Sequence, residues 1–219
     1  MSRIRPLPLI LTAATVFAFG AAADADVYTY RVVSRTGDAA PGTLGGTFTS
    51  FGYPSLNEKG TVGFAASTTA VLGQSGIWMT EPDDPQSVQL VAGTNYIPPG
   101  SPASIRFGTF GFSFHHAILT DDDTIGFSAP LTGLPVGDGT GTGLFRRSTG
   151  GMLETVLRPG QPAPGLGGGA IVDWISNLPT MNAYGRFAFS AALSGAGITP
   201  ANDSAVYTHW FGGLTMLAR

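Results

Sequence analysis

Leu56-Asn57-Glu58-Lys59-Gly60-Thr61-Val62-Gly63-Phe64-Ala65-Ala66 decides the fold, because it returns as Leu119 to Ala129 and again as Met181 to Ala191. Each copy carries a turn followed by a run in which bulky residues alternate with small ones. Val62 and Phe64 flank Gly63, Ile125 and Phe127 flank Gly126, and Phe187 and Phe189 flank Ala188. Strict alternation marks a β-strand whose two faces differ, one bulky and one that must be closely approached. Phe64, Phe127 and Phe189 lie 63 and 62 residues apart, so the period is steady. Asn57 and Gly60 suit a hairpin because both tolerate positive φ. The second copy has Thr120-Asp121-Asp122-Asp123 at that place and the third has Asn182-Ala183-Tyr184-Gly185.

A second phrase precedes each of these. Arg35-Thr36-Gly37-Asp38-Ala39-Ala40-Pro41-Gly42 recurs as Gly93-Thr94-Asn95-Tyr96-Ile97-Pro98-Pro99-Gly100 and as Arg158-Pro159-Gly160-Gln161-Pro162-Ala163-Pro164-Gly165. Phe51 to Leu56, which leads into the turn, and two further β-like runs, Gly76 to Thr80 and Val88 to Ala92, complete the first unit. The last two align as Ile77-Trp78, Leu144-Phe145 and Val206-Tyr207, then as Leu90-Val91, Val156-Leu157 and Met216-Leu217. The expected fold is therefore all-β, with tandem four-stranded repeats over about 31–92, 93–157 and 158–219. Repeats of about 60 residues with four strands each point to β-propeller-like blades, since one blade cannot bury its own faces.

Three blades fall short of the usual four to eight, and Arg219 aligns with Arg35, Gly93 and Arg158. Three arrangements answer this: a fragment of a larger propeller, a homodimer that closes the ring in trans, or an opening strand around Val27 to Val33 that completes the last blade. The stop at Arg219 favours the first.

Composition agrees with a packed β-protein. The chain has 219 residues, 43% hydrophobic and 11% charged, with 32 glycines and 16 prolines spent on turns. Helix-forming runs are absent after residue 26, while Thr, Val, Phe and Gly dominate. A formal charge of -3 with only 11 scattered Lys and Arg excludes nucleic-acid binding, which needs a clustered basic face.

Residues 1–25 read as a signal peptide. Arg3 and Arg5 precede an apolar stretch of 13 residues, Leu7 to Phe19, and Ala21-Ala22-Ala23 or Ala23-Asp24-Ala25 supplies the small-residue cleavage pattern. A membrane anchor needs about 20 apolar residues, so no span is expected in the mature chain, 26–219. The sequence contains no cysteine. An exported protein of this kind is held by its core alone, which suits a bacterial secreted or periplasmic product.

The phrases R-x-G-x-x-x-P-G and L-N-x-x-G-x-V-x-F-x-A resemble those of uncharacterised secreted bacterial β-repeat proteins in which such units recur along longer chains. The likeness covers most of residues 31–219 and implies export and a β-repeat fold, with no activity attached. Its motif residues here are Arg35, Gly37, Asp38, Pro41, Gly42, Asn57, Gly60, Phe64, Pro99, Gly100, Phe127, Arg158, Gly160, Pro164, Gly165, Asn182, Gly185 and Phe189. The second repeat departs from the pattern, with Gly93 and Tyr96 in place of the arginine and aspartate and no glycine in its hairpin turn.

Candidate chemistry is sparse. His115 and His116 are adjacent, so on a strand they face opposite ways and do not share a metal. Asp121-Asp122-Asp123 is oxygen-rich, but it lacks the alternating ligands and distant glutamate of a calcium loop and reads as a solvated hairpin. Gly137 to Gly143 has no helix after it to hold a phosphate and reads as an inter-strand loop. Gly165 to Gly169 reads the same way. No G-x-S-x-G elbow occurs. Trp78 and Tyr207 occupy equivalent positions and read as core, while Arg35 and Asp38 read as a pair that pins a Gly-Pro turn.

No catalytic, cofactor-binding or metal set emerges. Two functional classes remain. The first is an exported, non-catalytic β-repeat module, structural or binding an unknown protein or glycan partner at the cell surface or in the periplasm. The alternative is a propeller-type hydrolase or lyase acting on extracellular polysaccharide, with carboxylates such as Asp38, Glu58, Asp83, Asp84, Asp173 and Asp203 converging in space.

Overall fold

The second strand of each repeat is the spine of its own antiparallel sheet. In this computed structural model the described residues are 30–81, 84, 87–111, 117–137, 139–176, 178–210 and 213–219, and they contain fourteen strands and no helix. The first sheet joins β1 (Phe48–Leu56), β2 (Val62–Thr68), β3 (Ser75–Thr80) and β4 (Val88–Gly93) in sequence order. The second is built on β7 (Ile125–Thr132), followed by β8 (Thr140–Arg147) and β9 (Leu153–Leu157); β5 (Arg106–Phe107) and β6 (Ala117–Leu119) both pair with β7. The third repeats this with β10 (Ala170–Ile175) and β11 (Thr180–Met181) on β12 (Phe187–Gly195), then β13 (Ser204–Trp210) and β14 (Gly213–Ala218).

Two expectations need correcting. The second and third sheets have five strands rather than four, because the first strand of each is broken in two. In the first sheet β1 stays whole but slips register twice, between Phe48 and Ser50 and between Phe51 and Pro54. An outer strand bonds on one side only, so interruption costs few ladder bonds, and Pro179 has no N–H to give where the third sheet's strand breaks. The expected opening strand from Val27 to Val33 lies outside the described residues as far as residue 29, and Tyr30 to Val33 are not in a strand.

Each sheet is centred on a cross-strand aromatic pair. Phe64 stands opposite Trp78, Phe127 opposite Phe145, and Phe189 opposite Tyr207. Their rings stack with centroids 6.5, 5.7 and 5.8 Å apart. All six side chains are buried. Pairs of this kind contribute roughly 0.5–1.5 kcal/mol beyond their area. The ladder to the last strand slips at the residue just before each third-strand aromatic, between Ile77 and Trp78, Leu144 and Phe145, and Val206 and Tyr207. Val91, Val156 and Leu217 are thereby the extra residues of three equivalent bulges, which add twist where the ring is seated.

The sheets pack face on face. One core unites Ala65, Ile77 and Met79 of the first sheet with Ile125, Phe127 and Phe145 of the second. The next unites Leu144 and Leu157 of the second with Phe187, Phe189 and Tyr207 of the third. Small residues on the second strands permit the approach. A Cβ on Gly63 would stand 3.0 Å from the side chains of both Leu119 and Ile125, and one on Gly126 would collide with Phe187 and Met181. Because the Phe187 ring is hemmed in by its own core, Gly126→Ala should cost about 1–3 kcal/mol as overpacking. Urea unfolding of the variant checks this, and an unchanged midpoint would show that the sheets can separate without penalty.

Candidate functional site at the repeat turns

The phrase R-x-G-x-x-x-P-G folds as two successive tight turns. In the first, Asp38, Tyr96 and Gln161 donate their N–H groups to the carbonyls of Arg35, Gly93 and Arg158. The third residue of each turn has positive φ: Gly37 at 91°, Asn95 at 71° and Gly160 at 82°. Asparagine is among the few side-chain residues that enter this region readily, which is why the second repeat can do without glycine here. In the second turn Pro41, Pro99 and Pro164 precede Gly42, Gly100 and Gly165, whose φ values are 77°, 67° and 76°. Thr43, Ser101 and Leu166 close these turns onto Ala40, Pro98 and Ala163. Proline followed by a positive-φ glycine is the type II pattern.

The polar motif side chains are spent inside these turns. Asp38 Oδ2 accepts the N–H of Arg35 at 2.7 Å, and Gln161 Oε1 accepts that of Arg158 at 2.8 Å. The Arg35 and Asp38 side chains also approach to 3.7 Å at the surface. Tyr96, at the corresponding place in the second repeat, reaches back to the first and donates its hydroxyl to the Gly42 carbonyl at 2.6 Å. The Pro41 carbonyl accepts the Trp78 indole N–H at 3.0 Å. Phe145 has no such donor, and the Pro99 carbonyl takes the Thr155 hydroxyl at 2.7 Å instead.

The hairpin turns follow one design. Asn57 Oδ1 accepts the N–H groups of Lys59 and Thr61, and Asn182 Oδ1 accepts those of Tyr184 and Arg186. Gly60 and Gly185 close the turns at φ of 85° and 69°. In the second repeat Asp123 occupies this place at φ 62°. Its side chain does not enter solvent, as a solvated hairpin would have it; Asp123 is 3% exposed.

Among the described residues, Asp123 is the one place where the turns assemble a charged cluster across repeats. Its Oδ1 accepts from Asn57 Nδ2 at 2.7 Å and from the Thr61 hydroxyl at 2.6 Å, and its Oδ2 from Lys59 Nζ at 2.8 Å. Asn57 Nδ2 also donates to the Thr120 carbonyl at 2.9 Å, and the Glu58 N–H to Asp121 Oδ1 at 3.2 Å. Burial pushes the Asp123 carboxyl up, but the hydrogen bonds from Lys59, Thr61 and Asn57 and the lysine's charge outweigh it and hold it below the ordinary value. Asp122 is also lowered: burial opposes, while the Thr120 hydroxyl and the Thr124 N–H prevail. A carboxylate so engaged has little left to offer a substrate. The cluster joins Asn57 to a residue 66 positions away that no spacing rule singled out. Its one trace in the sequence was the missing glycine at position 123.

The remaining candidates separate. His115, His116 and Asp83 lie outside the described residues. Thr140 to Gly143 of the glycine run belong to β8 rather than to a loop. Asp38 lies in the first repeat's turn, Asp173 on β10, and Asp203 just before β13, where its carboxylate accepts the Ser204 hydroxyl. Among the described residues no three His, Cys, Asp or Glu side chains come together to hold a metal. His209, on β13, is held below its ordinary pKa first by burial and then by Arg146, against the pull of Glu154. Arg146 itself bonds Glu154 across the β8–β9 ladder at 2.6 Å.

The described residues form an all-β structure of three antiparallel sheets, with Gly-Pro turns at the start of each repeat. The chain belongs to a family of unknown function, DUF7453, whose model matches residues 18–219. No curated protein and no solved structure is matched by the chain.

The lowered Asp123 pKa has a definite consequence for acid stability. Its contribution is complete above the unfolded-state value of about 4 and is lost as pH falls through the lower folded-state value. Asp123→Asn should therefore unfold at lower temperature than the parent at pH 7, with the gap shrinking as both are titrated below about pH 4. Melting curves across that range test it, and a gap independent of pH would mean that the charge contributes nothing.

Proposed function

We propose that this protein is an exported, non-catalytic β-repeat module that acts at the cell surface or in the periplasm, as a structural element or as a binder of a protein or glycan. One observation carries the reading: the polar residues that recur with the repeat are consumed in turns and in the junction between repeats. Asp38, Gln161, Asn57, Asn182 and Asp123 all bond backbone groups or neighbouring turns. Recurrence among the described residues thus follows the needs of the fold. The sheets are read as propeller-like blades on the same grounds, namely four successive strand positions per sheet, in-order antiparallel pairing and face-to-face stacking.

Export is supported by the charged start, the apolar stretch and the small residues up to Ala25. The absence of cysteine suits a fold whose stability rests on packing in any redox compartment. Expression in a bacterial host followed by fractionation and mass measurement should return a chain shortened by the leader, beginning near Asp26. Recovery of the full-length chain from the cytoplasm would overturn the export reading.

Absence of catalysis is tested separately. Incubation with a panel of polysaccharides, chromogenic glycosides and esters should give no turnover above buffer. Release of reducing ends or unsaturated sugars that tracks the purified protein would favour the hydrolase or lyase instead.

A further inference from the structure

The two outer faces of the sheet stack are the two halves of a junction that already occurs twice inside it. At the first internal junction Leu119 and Ile125 of the second sheet rest on Gly63 of the first. At the second, Met181 and Phe187 of the third sheet rest on Gly126. The receiving face also carries Ile77 in the first sheet and Leu144 in the second, both fully buried by the neighbour.

The third sheet presents the same receiving face, and there its residues are exposed. Ala188 takes the place of Gly63 and Gly126 and is exposed. Val206 takes the place of Ile77 and Leu144 and is 42% exposed; Leu217, at the bulge, is 61% exposed. Trp174 stands opposite Ala192 on β12, two residues along the same face as Ser190, and is 45% exposed. The strand pattern records the difference, since Ala65 and Ser128 are buried while their counterpart Ser190 is exposed.

The first sheet presents the matching inserting face. Leu56 and Val62 stand where Leu119 and Ile125, and then Met181 and Phe187, stand in the later repeats. Leu56 is 68% exposed. Beside Val62 an open apolar cavity of about 320 Å3 is lined by Val33, Phe51, Pro54, Val62 and Phe64.

We propose that a second copy of this chain docks here head to tail, the Leu56 and Val62 face of one copy seating on the Ala188 face of the next. The occupant is identified by continuity: the chain twice packs this pair of faces against each other, the third sheet leaves its receiving face exposed, and the first leaves Leu56 exposed at the rim of an inserting face whose Phe48, Phe64 and Trp78 are already buried. The contact is heterologous, because each copy uses different surfaces toward its two neighbours, so it generates either a closed ring or an open stack. Two copies joined at both ends would bring six sheets together, within the usual propeller range of four to eight. The inference rests on the packing of the sheets alone and stands whether or not the module binds another ligand.

Light scattering after gel filtration tests it, together with Ala188→Arg and Leu56→Arg, both at exposed positions where an arginine leaves the chain folded. Circular dichroism confirms that. The parent should run at twice the mass of one chain or more, and each variant alone as a single chain. Mixed in equal amounts, the two variants should pair one to one, since each retains the half that the other has lost. A parent that is a single chain at every attainable concentration overturns the proposal. So does an assembly that survives both substitutions, and so does a mixture that stays apart, which would point to a symmetric contact elsewhere.

Discussion

Two sheets can lie face to face only if one of them yields volume where the other inserts. That constraint governs this molecule. Sheets in a packed pair sit about 10 Å apart, and bulky residues on both facing strands would not fit. The second strand of each repeat resolves this by dividing its labour: Phe64, Phe127 and Phe189 fill one face, while Gly63, Gly126 and Ala188 leave room on the other. The aromatic partners Trp78, Phe145 and Tyr207, and the bulge beside each, follow from the same need to seat a ring at the centre of every sheet. Variation is absorbed elsewhere. The first strands are whole, or broken in two, because they lie at one edge and bond to a neighbour on one side only, although Phe48, Phe107, Val172 and Ile175 still point into the core.

Turn chemistry holds the strands in register. Six tight turns in the three R-x-G-x-x-x-P-G phrases and three hairpin turns place glycine, or Asn95 and Asp123, where positive φ is required. Asp123 shows how one such substitution acquires a second use. A side chain at that place is directed toward the previous repeat, where Asn57, Thr61 and Lys59 supply its hydrogen bonds. A buried carboxylate without those donors would be strongly destabilising. The exchange of glycine for aspartate therefore works only together with the residues of the neighbouring turn. With no disulfide in the chain, such junctions and the aromatic cores are the means by which the repeats are tied to one another.

Membership of DUF7453 places residues 18–219 in a family of unknown function, and all three sheets lie within that match. Of the residues that recur with the period, Asp38 is bonded within its own turn and Asp123 is enclosed between two turns.

The sequence by itself determined what is local and periodic. Alternation in Val62-Gly63-Phe64 and its copies, turn residues such as Asn57-Glu58-Lys59-Gly60, and the aligned aromatics were enough to recognise an all-β chain, the four strands of its first repeat, and the equivalence of Trp78 with Tyr207. These follow from φ preference and from the two-residue period of a strand, which act within a few residues. The tertiary structure alone decided how β5 and β6, or β10 and β11, share one strand position, because an edge strand's continuity depends on where the flanking loop lies. It alone joined Asn57 to Asp123 across 66 residues and showed which sheet faces are covered. A buried charge and an open face are properties of what lies opposite in space, and no spacing along the chain encodes that.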